Sequence, residues 1–225
     1  MKTINNYIFE KLKINKSKLK RVTECTLFPT SRNVLVNMIK DEINKNGISC
    51  SLNHIDTSKV TNMSNLFEHS KFTGDISEWY TSNVKSMFRM FYYSWFNGDI
   101  SKWDVSNVVD MFEMFKNSKF NKDISDWDIS NVRNMHQIFA YSDFNQNIND
   151  WDVRNVENMS GMFFHSKFNK PLNKWDVSNA KYMNNMFGFS PFEQNISNWK
   201  INPNCETTNI TTLTNMLDSY KPKLF

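Results

Sequence analysis

The chain has 225 residues, a hydrophobic content of 40%, a mean hydropathy of −0.58 and a formal net charge of +4. This length can bury a sizeable core in one or two domains, and no stretch approaches the roughly 20 consecutive apolar residues of a membrane-spanning helix. Residues 1–24 hold seven basic and two acidic side chains, leaving 20 basic and 21 acidic ones for the remainder. A basic leader therefore precedes a near-neutral body, and the net charge gives that body no affinity for nucleic acid.

The leader, residues 1–24, has no apolar h-region and no small-residue cleavage site, so no secretory signal peptide is expected. Ile4, Tyr7, Ile8 and Leu12 would form one apolar stripe on a short helix, ahead of Lys16, Lys18, Lys20 and Arg21. So short a helix is marginal alone in water. It would pack on the body or fray, dock on a partner through its stripe, or touch nucleic acid or an anionic membrane with its basic end. An N-terminal cap is expected over residues 25–55. Within it Ser31, then Val34, Leu35, Met38, Ile39 and Ile43, then Gly47, read as a capped amphipathic helix over about 32–46 that would cover the first rung of the body.

Residues 56–199 hold six consecutive units of 24 residues without insertion or deletion. Tryptophans stand at Trp79, Trp103, Trp127, Trp151, Trp175 and Trp199. Columns headed by Val60, Met63, Phe67, Phe72 and Ile76 keep the same 24-residue interval, and Ile55 fills the tryptophan slot one period upstream. A period of this size marks a stacked repeat architecture. Within one unit, Ile100-x-x-Trp103-x-Val105 reads as a short strand, Ser106-Asn107 as a turn with a capping side chain, and Val108, Met111, Met114 and Phe115 as one helical face. Ser118 would allow a tight return. The expected fold is thus α/β: a leucine-rich-repeat-like stack of strand-turn-helix units with terminal caps. After Trp199 the pattern fails, and Leu213, Met216 and Tyr220 read as a displaced copy of the apolar face, closing the far end as a C-terminal cap over 200–225.

Two polar columns accompany the core. Asn83, Asn107, Asn131, Asn155 and Asn179 would form an amide ladder to neighbouring backbone. Asp104, Asp128, Asp152 and Asp176 could hold a divalent cation or simply accept hydrogen bonds from their own turns. Tyr80 and Lys200 interrupt that column at its ends, which favours the turn reading. The cysteines Cys25, Cys50 and Cys205 form no C-x-x-C pair, and His54, His69, His136 and His165 have no metal-ligand spacing. With no Gly-rich phosphate loop and no nucleophile elbow, no catalytic residue, metal site or cofactor is expected.

Candidate binding residues come from the columns that vary. The position two residues after the core Phe carries His69, Tyr93, Asn117, Tyr141, His165 and Phe189, which is either a recognition stripe or packing between units. Trp95 stands where other units have Lys71, Lys119, Asp143, Lys167 and Pro191, so it should be exposed and form an aromatic patch with Tyr92 and Tyr93.

The string Phe120-Asn121-x-Asp123-Ile124-Ser125-x-Trp127-Asp128-Ile129-Ser130-Asn131-Val132-x-x-Met135 resembles the BspA-type leucine-rich repeat, also called the mycoplasma-type surface lipoprotein repeat, over about residues 52–199. The resemblance implies a right-handed solenoid and non-enzymatic roles in surface display, adhesion and protein binding, with no catalytic residues to carry over. The leader, from Asn6-Tyr7-Ile8 through Glu10-Lys11-Leu12-Lys13-Ile14-Asn15-Lys16, is similar to short N-terminal leaders on proteins of gut bacteriophages, including crAss-like phages. The expected function is a non-catalytic interaction or adhesion scaffold with a protein partner. The alternative is a structural or packaged virion component located by its leader. The expected location is the cytoplasm of the producing cell, or the virion if the protein is phage-encoded.

Overall fold

The computed structural model describes residues 25–224. Helix α1, Arg32–Asn46, is the α-helix among these residues and has the expected bounds. The Ser31 side chain accepts from the Val34 N–H, and Gly47 ends the helix at φ 87° with its N–H on the Ile43 carbonyl. A positive φ there is what glycine tolerates at a helix end. Leu35 and Ile39 are buried in the common core, and the Arg32 side chain donates to the Ser64 carbonyl, so α1 is seated on the first unit.

From residue 56 on, the coils stack at the 24-residue period, but their content is not strand and helix. The strand-turn-helix, leucine-rich-repeat-like reading is overturned. Among the described residues the β-structure consists of isolated parallel bridges, and the helical content beyond α1 is two short 3-10 turns, Thr57–Lys59 and Asp218–Tyr220. The bridges run Asn62, Ser86, Asp110, Asn134, Asn158, Tyr182, Glu206, each paired with the next. These seven residues fall at the start of the expected helix, not in the expected strand; the other two bridges, Leu27 with Ile55 and Ser51 with Asp75, tie the N-terminal segment to the first coils.

Backbone hydrogen bonding explains the difference. An α-helix sends each N–H to the carbonyl four residues back. In the unit starting at Val84, four N–H groups donate instead to the following coil: Met87 to Asp110, Arg89 to Phe112, Phe91 to Met114 and Tyr93 to Lys116, each at 2.9 Å. Between them, Met90, Tyr92 and Ser94 close four-residue turns onto the carbonyls of Met87, Arg89 and Phe91. The third residues of two of these turns, Arg89 and Tyr93, have φ of 51° and 52°. A negative φ at the second residue and a positive one at the third makes a type II turn. The same two positions are positive in every unit, as Asn65 and His69, Glu113 and Asn117, Gln137 and Tyr141, Gly161 and His165, and Asn185 and Phe189. The expected strand is also a turn, because Trp103 N–H closes on the Ile100 carbonyl. The apolar spacing that reads as a helical face is real as burial: Val108, Met111, Met114 and Phe115 all point inward.

Side-chain ladders hold the coils in register. Phe67, Phe91, Phe115, Phe139, Phe163 and Phe187 stack with ring centroids 5.5–5.9 Å apart. A second row runs from Phe72 to Phe192 at 6.1–6.4 Å. Each indole N–H of the buried tryptophan column donates to a carbonyl of the preceding coil, as Trp127 does to Ile100 at 3.1 Å, so the buried polar edge of the ring is satisfied. The asparagine column does the same from the surface. Asn83, Asn107, Asn131, Asn155 and Asn179 donate to the carbonyls of Ser58, Ser82, Ser106, Ser130 and Arg154. Ser118 makes its tight return by accepting the Phe120 N–H.

The C-terminal segment is a further coil in register, not a displaced copy. The N–H groups of Met183, Asn185, Phe187 and Phe189 reach the carbonyls of Glu206, Thr208, Ile210 and Thr212, and Ile196 reaches Tyr220. Met216 thus takes the slot of Phe192 and is buried, while Leu213 is 69% exposed. Thr207 and Thr211 stand in the Met and Phe slots, which erases the side-chain pattern. The backbone ladder does not depend on those side chains and persists.

Candidate functional site

The left-handed residue of the second turn in each unit sends its N–H into the ladder and turns its side chain outward. That geometry places the expected ring column along one face, in two clusters. Tyr93 stacks on His69 with centroids 5.0 Å apart, and Tyr92 meets both rings edge-on. Tyr141, His165 and Phe189 stack in turn at 5.0 and 4.5 Å, with Phe164 edge-on to all three. Asn117 separates the clusters. The rings pack between units and also remain accessible: Tyr93, Tyr141 and Phe189 are 46%, 46% and 47% exposed. Trp95 is exposed, with the Lys71 ammonium 5.2 Å from its ring. Among the described residues no ring contact joins it to Tyr92 or Tyr93, so it stands beside that cluster.

A parallel row lies one turn earlier. Phe88, Phe112 and His136 stack at 5.0 and 4.9 Å. Beside it the buried Glu113 carboxylate pairs with Arg89 and with Lys116 at 2.6 Å, and Lys116 also donates to the Gln137 side-chain oxygen. The Arg89 guanidinium lies 4.9 Å from the Tyr92 ring and 5.3 Å from that of Phe88. Burial holds the His136 imidazole below its ordinary range. The Glu113 charge works against that shift and the Lys116 charge adds to it.

The row stops at Ser160 and Asn184, which occupy the ring slot in the next two units. Gly161, at φ 61°, carries no side chain beneath them. The result is a groove of about 470 Å³ lined by His136, Gln137, Asn158, Ser160, Gly161, Phe164, Tyr182, Asn184, Asn185 and Phe189. Of these, Phe189 alone is among the binding residues expected from the sequence. The signal for the groove is present there as a break in a column, Phe88, Phe112 and His136 giving way to Ser160, together with the single glycine in the next column.

The aspartate column serves its own turns: Asp104, Asp128, Asp152 and Asp176 accept the N–H two residues on. Among the described residues no three acidic, histidine or cysteine side chains lie together as a metal site would need, and no helix is long and apolar enough to cross a membrane. The leader residues Ile4, Tyr7, Ile8 and Leu12 lie outside the described residues.

A family model described as "Mycoplasma protein of unknown function, DUF285" matches residues 34–143 and again residues 117–222. The chain belongs to this family. The two matches overlap within the repeat and together run from Val34 in α1 through all six units to residue 222 of the final coil, as expected if the family's unit is the stack itself. No curated protein and no solved structure matches the chain. The membership carries the mycoplasma-type part of the resemblance seen in the sequence.

Proposed function

We propose that the protein is a non-catalytic interaction scaffold of the adhesion type, presenting its outward ring column to a protein partner. The observation that carries this reading is the row of half-exposed aromatic side chains on one face, Tyr93, Tyr141 and Phe189, flanked by His69, His165, Tyr92 and Trp95. Large aromatic residues are enriched at binding hot spots, and clustered exposed apolar side chains mark interaction sites. These rings are also preorganised. Each stacks on its neighbour and rises from a residue whose backbone is tied into the ladder, so docking would cost little side-chain entropy. Family membership and the resemblance to surface repeat proteins support the same reading, which involves no cofactor and no reaction. The virion alternative rests on residues 4–16 alone.

The test uses the full chain and two double variants, Tyr93→Ser with Trp95→Ser and Tyr141→Ser with Phe189→Ser, as baits in extracts of the producing cell and its surroundings. The parent should retain a discrete partner that one or both variants lose while melting as the parent does. Folded variants that keep every partner of the parent would overturn the reading.

A further inference from the structure

We propose that the groove where the inner ring row ends binds an uncharged oligosaccharide. Its walls offer two kinds of surface. The rings of His136, Tyr182 and Phe189 give apolar faces on which the C–H faces of a sugar can lie. Between them stand amides and a hydroxyl with spare capacity. The Gln137 oxygen accepts from Lys116 at 2.6 Å, and among the described residues its amide nitrogen makes no hydrogen bond. The Asn158 oxygen accepts the Ser160 N–H at 3.0 Å, which likewise leaves its amide nitrogen. The Asn185 side chain and the Ser160 hydroxyl also make no hydrogen bond among the described residues. Amide groups that both donate and accept suit adjacent sugar hydroxyls, which do the same.

The lining holds no Lys, Arg, Asp or Glu, so nothing there would repay the desolvation of a phosphate, a carboxylate or a polyamine. An extended peptide would need unpaired backbone to pair with. The N–H groups of Met159, Gly161 and Phe163 are already committed to the carbonyls of Tyr182, Asn184 and Met186. A groove of about 470 Å³ lies within the usual range for small-ligand sites.

Two variants close the groove with residues its own columns already accept. Ser160→Phe continues the row of Phe88 and Phe112. Gly161→Asn places there the residue that Asn65 and Asn185 supply at φ 59° and 54°, at the cost of moving the flexible Gln137 side chain, whose Cγ lies 2.8 Å from the added Cβ position. Neither Tyr93 nor Trp95 lines the groove, so loss of sugar binding is separable from loss of a protein partner held by that cluster; Phe189 belongs to both surfaces. The full chain is titrated with maltotriose, cellotriose, galactotriose and triacetylchitotriose, followed by saturation-transfer NMR and calorimetry. At least one should bind saturably, and at least one folded variant should lose about tenfold or more in affinity. If none binds, or if both variants fold and bind as the parent does, the proposal is overturned.

Discussion

Single side chains in this protein are judged by the column they stand in. Thr81 occupies the slot that Val105, Ile129, Val153 and Val177 fill, is 2% exposed, and its hydroxyl has no hydrogen-bond partner. An unpaired buried hydroxyl costs about 1–3 kcal/mol, and four neighbouring units show that valine-like shapes fit. Thr81→Val should therefore raise stability by about 1 kcal/mol in chemical denaturation, and a loss would contradict the packing. His136 supplies a titration. With the folded imidazole held below its ordinary value of 6.5, the unfolded chain binds the proton more readily, so stability is full above that value and falls as pH drops through it. The lowered carboxylates, such as Asp143 and Asp152 with an ordinary value of 3.8, lose their contribution only in more acidic solution. Denaturation midpoints measured at about pH 7.5 and about pH 5.5, on either side of the histidine range, should accordingly converge in His136→Phe relative to the parent. An equal pH dependence in the two proteins would show that His136 is as accessible folded as unfolded.

At the level of the element, apolar periodicity points to the wrong backbone. Residues Val108, Met111, Met114 and Phe115 describe a helical face, and all four are buried. Yet Glu113 and Asn117 sit at φ 50° and 56°, which no α-helix permits. Spacing reports which side chains face inward, and a chain of type II turns with inward residues at the same offsets satisfies it as well as a helix does. The cue to the turns is weak because the left-handed positions hold Arg, Glu, Gln, Tyr and Phe as well as Asn and Gly. A left-handed conformation costs a residue with a side chain roughly 1–2 kcal/mol. It persists here because the N–H of that very residue is bonded to the next coil. Backbone chemical shifts across Val108–Ser118 should lack a helical run and show a left-handed residue at Asn117. A continuous helical stretch there would refute the turn assignment.

At the scale of the whole molecule, stability is shared between coils. A lone unit would have strained turns, unpaired N–H groups and one exposed face, whereas stacking relieves all three at once. Trp127 lies at mid-stack, 3% exposed, with its indole N–H on the Ile100 carbonyl and its ring 6.4 Å from that of Phe115. Trp127→Ala should cost roughly 3–5 kcal/mol, and a thermal shift no larger than that of a surface substitution would contradict its place in the core. The amino-acid sequence by itself determined the 24-residue period, the capped helix α1, the buried columns and the asparagine ladder, since each follows from side-chain type and spacing. Only the tertiary structure decided that the coils are built from turns, that Thr207 and Thr211 belong to a final coil in register, and that a groove opens beside Ser160. Those features depend on which coil each backbone N–H and each side chain meets, and a hydrogen bond between residues 23 apart leaves almost no trace in the local order of residue types.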